Sequence, residues 1–279
     1  MNERILTEEM IREFQNYLYR EEKSAATIEK YLRDVHAFKM FVGDSIVTKK
    51  ETIAFKNRLI ERGYAVRSVN SMVASLNSLM QFLGWADCRT KSIRQQRQIY
   101  CSEDRELTRE DYMRLLKEAE KQPQLCLIMK TICGTGIRVS ELRYFTVGAV
   151  KQGEVVISCK NKTRRILVPG KLRKMLIKFA SQNRIYSGPI FVSKNGHPLD
   201  RSNIWARMKK LCEHAGVKRS KVFPHNLRKL FARTFYKVEK DIAKLADILG
   251  HSSIDTTRIY IMTTGTEHRQ KMERLGLVI

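Results

Sequence analysis

A chain of 279 residues with 43% apolar side chains has enough hydrophobic material for a buried core and too much for a disordered polyelectrolyte. It carries 53 Lys and Arg against 29 Asp and Glu, a formal net charge of +24, and an excess of that size points to a polyanion partner such as nucleic acid. Its six cysteines form no C-x-x-C pair and do not cluster with histidine, which argues against a zinc site or a disulfide framework and fits a reducing cytosol.

The first residues, Met-Asn-Glu-Arg, lack the apolar run of a signal peptide. Residues 7–84 read as four helices. Thr7 is placed as an N-cap before Glu8 and Glu9, with Met10, Phe14, Tyr17 and Leu18 on one face. Ser24 or Thr27 starts the second, with Ile28, Tyr31, Leu32, Val35, Phe38 and Phe41 as its buried stripe and Gly43 as its end. Thr48 caps the third, which runs to Arg62-Gly63, and Ser68 is expected to open the fourth. The uncharged stretch from Ser68 to Ala86 holds too many Asn, Ser and Gln to span a membrane and suits a helix packed on protein or DNA. The aromatics on these stripes read as core. The basic residues, among them Lys23, Lys30, Lys49, Lys50 and Arg62, suit phosphates or plain solvent equally. Apolar periodicity fades after residue 86 and basic and amide side chains take over. The expected division is therefore a helical domain over 1–88, a linker over 89–106 and a second domain over 107–279.

In the second half, Thr108 begins a helix to about residue 121 and Pro123 another to Gly134. Gly134 and Gly136 allow a tight turn just before Arg138, and Ser140-Glu-Leu restarts a helix. Glu154–Ser158 and Arg164–Val168 are β-branched runs expected to form a hairpin whose turn holds Lys160, Asn161 and Lys162. A helix over 171–183, a short strand at Pro189–Ser193 and a helix capped by Ser202 follow. His225 and Arg228, one helical turn apart, share a face. Asp241 caps a helix closed by Gly250, His251 stands just beyond it, and Ser253 caps the helix that carries Tyr260. The fold class expected is mainly α with a small β-sheet, α+β.

A single histidine at a helix end or a single tyrosine on an apolar helix is ordinarily structural. The joint set is what points to chemistry. A phosphodiester under attack accumulates negative charge on its non-bridging oxygens, and two always-charged, fork-shaped guanidinium groups can hold it. Tyrosine, with a pKa near 10, needs a base or a cationic site to attack, and its phenolate is a fair leaving group, so a phosphotyrosine would conserve the broken linkage. Neither a metal nor another cofactor is required by that scheme. A lysine on a hairpin tip can donate a proton to a leaving hydroxyl.

These motifs resemble the tyrosine recombinases of the phage integrase family, Xer-type enzymes included. Gly134-Thr-Gly-Ile-Arg138-Val-Ser-Glu-Leu is similar to the first arginine box, His225-Asn-Leu-Arg228 to the family's His-x-x-Arg, and Leu249-Gly-His251-Ser to the third histidine box. Tyr260 follows nine residues on, at the nucleophile's position, and Lys160 matches the hairpin lysine better than its competitor Lys162. The likeness covers about 108–265. The helical first half is similar to the family's core-binding domain only in size and helix count. Lys229 departs from a second histidine that often stands there.

The resemblance implies a catalytic set of Arg138, Lys160, His225, Arg228, His251 and the nucleophile Tyr260, a 3′-phosphotyrosyl intermediate and a free 5′-hydroxyl. It implies two domains that clamp double-stranded DNA at short inverted-repeat core sites, and a homotetramer on two sites that exchanges strands through a Holliday junction. An accessory DNA-bending or directionality protein, and the docking of the tail from Met262 to Ile279 on its own or a neighbouring protomer, are left open. So are integration, excision, inversion and resolution. The chain opens close to its first helix, so no additional arm-binding domain is expected, and the expected location is the cytoplasm, at the nucleoid of a prokaryote. Two rivals share some of these features: a type IB topoisomerase-like enzyme, and a catalytically silent DNA-binding regulator.

Overall fold

The computed structural model describes residues 4–96, 102–159, 162–193 and 195–277, and the chain divides into two units, Met1–Arg97 and Gln98–Ile279. The first holds α1 (Glu8–Arg20), α2 (Ala25–Val42), α3 (Lys49–Glu61) and α4 (Val66–Phe82). Local chemistry sets two of the starts. Thr7 Oγ1 accepts from Met10 N, and Thr48 and Glu51 form a reciprocal capping box. α4 begins two residues before the expected Ser68, behind Ala65, whose side chain cannot cap. Phe14, Leu18, Val35, Phe38, Val69, Leu79 and Met80 are fully buried, and Tyr17 packs on Phe82 with ring centroids 4.9 Å apart, so the aromatic stripe is core.

Two features of this unit differ from the sequence reading. Lys30, grouped with phosphate- or solvent-facing cations, is engaged inside: its Nζ lies 2.7 Å from the buried Asp34 carboxylate and donates to Ser71 O and Ser75 Oγ. The expected linker from residue 89 is bound to the unit as far as Ile93. Asn77 takes and gives hydrogen bonds with the backbone of Thr90, and Asn70 does the same with Ile93. Amide side chains anchor this extended segment, so it has no apolar period to betray it.

The second unit contains α5 (Arg109–Glu118), α6 (Pro123–Thr135), a 3₁₀ turn at Val139–Tyr144, α7 (Val147–Gln152), β1 (Glu154–Cys159), β2 (Lys162–Leu167), α8 (Gly170–Gln182), α9 (Arg201–Ala215), α10 (Pro224–Glu239), α11 (Ile242–Leu249), α12 (Ile254–Ile261) and α13 (Gly265–Glu273). The strands form an antiparallel pair running in register from Glu154↔Leu167 to Cys159↔Lys162, so Lys162 belongs to β2. Val155, Ile157 and Ile166 face the core while Val156 and Leu167 are exposed, the alternation a half-buried pair requires. α6 is apolar on nearly every side and packs against α10 in the centre of the unit.

Three local expectations are corrected. Pro189–Ser193 is no strand; it makes only single bridges, Thr146↔Pro189 and Val192↔Pro198. α9 is capped by Asp200, whose carboxylate accepts from Ser202 N and Asn203 N, rather than by Ser202. Gly134 is helical, and Gly136 alone makes the left-handed turn, at φ +67°. The fold is mainly α with one small sheet. Among the described residues no helix is long and apolar enough to cross a membrane, and no group of three or more His, Cys, Asp or Glu could hold a metal ion.

Candidate active site

Three chain corners meet at one place. The end of α6 delivers Arg138, the first turns of α10 deliver His225 and Arg228, the link from α11 to α12 delivers His251, and α12 itself delivers Tyr260. Gly136 allows the first approach, since a Cβ there would sit against the Phe231 ring and 3.0 Å from Leu249 Cδ2. Gly250 closes α11 at φ +63° and turns the chain so that His251 faces inward.

The arginines converge on the C-terminal carbonyls of α11. Arg228 is 1% exposed; its Nη1 donates to Gly136 O at 2.5 Å and its Nη2 to Leu249 O at 2.7 Å. Arg164, from β2, donates Nη1 to the same Leu249 carbonyl and Nη2 to Glu141 at 2.6 Å. Arg138 lies 3.0 Å from the other oxygen of Glu141, and its Nη2 reaches Gly250 O at 3.5 Å. A helix C-terminus carries partial negative charge on unpaired carbonyls, so this corner holds guanidinium groups together against their mutual repulsion. Burial, then the neighbouring Arg138, pull Arg228 down to about 10, which leaves it charged at neutral pH.

Tyr260 is 7% exposed and packs with Ala232, Leu245 and Leu249. Its ring stands edge-on to two imidazoles, with centroids 5.0 Å from His225 and 5.0 Å from His251, and 5.9 Å from Arg228 Cζ. Desolvation, then Lys229, Arg228 and Arg138, pushes His225 down to about 4, although the residue as a whole is exposed. His251 is also held at about 4, by burial and then by Arg228, Arg138 and Arg164. Both are therefore neutral near pH 7. His251 Nε2 lies 3.0 Å from Arg228 Nη2, and its Nδ1 lies 2.8 Å from Thr257 Oγ1.

Arg138 separates two open clefts. One, of about 630 Å³, is lined by Arg138, Arg201, Trp205, Lys209, His225 and Arg228. The other, of about 730 Å³, is lined by Arg138, Tyr144, Thr163, Arg164, Asp247 and His251. Basic clefts flanking a guanidinium cluster suit a polyanion that continues in both directions past one phosphate.

Of the six sequence-derived site residues, the structure brings together Arg138, His225, Arg228, His251 and Tyr260. Lys160 lies outside the described residues, and Lys162 opens β2. Glu141, Arg164 and Thr257 had not been singled out. Glu141 stands three residues after Arg138, a spacing that could have suggested a partner. Nothing local marks Arg164 or Thr257, whose partners are distant in sequence or depend on a histidine's orientation.

The comparisons agree in one direction. The models described as "Phage integrase family" and "Phage integrase, N-terminal SAM-like domain" match residues 105–266 and 11–87. The chain is 29% identical to a tyrosine recombinase XerA of Pyrococcus furiosus over 100% of its own length and 98% of the relative's. Its fold is similar to that of a lambda integrase fragment solved as a dimer on a COC′ core site, at TM-score 0.75 and 19% identity, covering 93% of this chain and 96% of that one. It is also similar to a lambda integrase tetramer bound to a Holliday junction, at TM-score 0.72 and 19% identity, covering 90% and 76%.

Proposed function

The chain belongs to the phage integrase family and is a site-specific DNA recombinase, and from that premise we propose that Tyr260 is its nucleophile and that Arg138, His225, Arg228 and His251 serve the scissile phosphate. The observation that carries this reading is the position of Tyr260, edge-on to both imidazoles and 5.9 Å from a buried guanidinium. A phosphodiester entering between the clefts takes hydrogen bonds from Arg138 and Arg228. Among the described residues Arg228 Nε has no hydrogen-bond partner. Charge that grows on the non-bridging oxygens is met by groups already held in place, the largest single contribution such a site can make.

Tyr260 Oη attacks phosphorus as its proton passes to neutral His225, and the bond to the 5′-oxygen breaks. The leaving oxygen takes a proton from Lys160, and the 3′-phosphate stays on the tyrosine. A 5′-hydroxyl of the partner strand then reverses these steps, so the linkage is rejoined with no external energy. His251 hydrogen-bonds the phosphate. The substrate is double-stranded DNA at paired inverted-repeat sites, and the working assembly is a homotetramer on two such sites. Support comes from the DNA-bound dimer and the junction-bound tetramer among the similar folds. Leu275 and Leu277 near the chain end are 64% and 83% exposed, which leaves them accessible to a neighbouring protomer.

The test is to trap covalent protein–DNA adducts from cells expressing wild type and Tyr260→Phe, and to sequence the attached DNA. Adducts at paired inverted repeats, absent from the variant, are expected. Scattered adducts without site preference would mean relaxation rather than recombination, and adducts that persist in Tyr260→Phe would remove Tyr260 from its role.

A further inference from the structure

One turn grips both strands of the small sheet. The 3₁₀ turn Val139–Tyr144 follows directly on Arg138. From it the buried Glu141 carboxylate meets Arg164 of β2 at 2.6 Å, and Tyr144 Oη donates to the backbone oxygen of Ser158 on β1 at 2.6 Å. The direction of the second bond is fixed. Ser158 O can only accept, and Arg143 Nη2, 3.2 Å from the same Oη, can only donate, so the single phenolic proton goes to the strand. Tyr144 is half-buried, its ring packed on the core and 5.0 Å from the Arg143 guanidinium carbon. Such ties matter because, among the described residues, the sheet has two strands, and a two-stranded ribbon is marginal unless something holds it. Along the chain, Ser158 stands two residues before Lys160.

We propose that Tyr144 is a positioning residue for proton delivery to the leaving 5′-oxygen: by holding β1 at Ser158 it fixes the strand that leads to Lys160 against the turn that begins at Arg138. This rests on Lys160 being the proton donor, as proposed above. When Tyr260 Oη bonds to phosphorus, the bond to the 5′-oxygen breaks and its electron pair leaves on that oxygen, a poor leaving group until it takes a proton. The donor must therefore keep its distance from the phosphate that Arg138 holds, and a misplacement of about 1 Å can cost on the order of 100-fold. The tie on β2 does not serve this step alone, because Glu141 also meets Arg138 at 3.0 Å. The hydroxyl of Tyr144 bonds Ser158 and the exposed Arg143, neither of which takes part in the phosphate chemistry.

Tyr144→Phe keeps the ring and removes the hydroxyl. Single-turnover adduct formation is measured at saturating protein on two nicked duplexes carrying the sequence recovered from wild-type adducts. One has the natural 5′-oxygen at the scissile phosphate and the other has sulfur in its place. A thiolate leaves without a proton, so the sulfur duplex makes no use of the donor. On the oxygen duplex Tyr144→Phe is expected to lose on the order of 10-fold, part of the roughly 100- to 10,000-fold that proton transfer supplies. On the sulfur duplex it is expected to match wild type. Equal loss on both duplexes would mean that Tyr144 supports the fold in general, and a wild-type rate on both would mean that the strand needs no such tie; either result overturns the proposal. Lys160→Ala is run alone and combined with Tyr144→Phe. Because Tyr144 acts through the lysine, the double variant should be no slower on the oxygen duplex than Lys160→Ala, and a further loss there would also overturn the proposal. Lys160→Ala left slow on the sulfur duplex would remove the reading of Lys160, whereas Tyr144→Phe left slow beside a restored Lys160→Ala sinks the proposal alone.

Discussion

Replacing Gly250 by alanine puts a methyl group where Arg164 lies. The new Cβ would meet Arg164 Nη1, with Cδ at 2.7 Å and Cζ at 3.1 Å. Two costs add. Alanine at φ +63° pays about 1 kcal/mol for a left-handed backbone. Arg164 must also give ground on Leu249 O and on the Glu141 carboxylate, contacts of a charged donor worth roughly 1.5–3 kcal/mol each when intact. Partial loss of both brings the total to about 3 kcal/mol. Gly216 supplies the control. It closes α9 at φ +62°, and a Cβ there would meet nothing within 4 Å, so Gly216→Ala pays the backbone cost of about 1 kcal/mol alone. The assay is urea unfolding followed by the fluorescence of Trp205, which lies on α9 of the second unit, in a Trp85→Phe background. Adduct formation should fall in Gly250→Ala and hold in Gly216→Ala, because only the first disturbs the arginine cluster. Equal destabilisation by the two alanines would refute the reasoning, since it would mean that Arg164 contributes nothing at this corner.

Two further outcomes are expected. His225 and His251 are each held at about 4, against an ordinary value of 6.5, so between those values the unfolded chain binds more protons than the folded one. Their contribution to stability is complete above pH 6.5 and is lost as pH falls through 4. It amounts to about 1 kcal/mol each once the water at both rings is allowed for, and a His225→Gln chain whose unfolding midpoint falls just as steeply over that window would contradict the assignment. Lys160→Ala should slow cleavage of ordinary DNA and recover when the leaving 5′-oxygen is replaced by sulfur, which leaves without a proton donor; recovery with Lys162→Ala instead would transfer the role.

Much of this protein is written locally. Thr7, Thr48, Asp241 and Ser253 cap helices where they stand, because the groups they bond lie two or three residues away. The stripe from Phe14 to Phe38 and the alternation of Val155, Ile157 and Ile166 report their buried faces for the same reason: the period of the backbone is fixed before anything packs. The order of Arg138, His225, Arg228, His251 and Tyr260 carried the chemistry, since few tasks need those types together. Other features depend on partners far along the chain. Arg138 meets Gly250 O across 112 residues, and Arg164 meets Leu249 across 85. Lys30 looks like a surface cation until α4 brings Ser71 and Ser75 beside it, and residues 89–93 look like linker until Asn70 and Asn77 bind them. The depressed histidines belong to this class too. Burial and a neighbouring guanidinium decide them, and neither exists until the helices have closed around Tyr260.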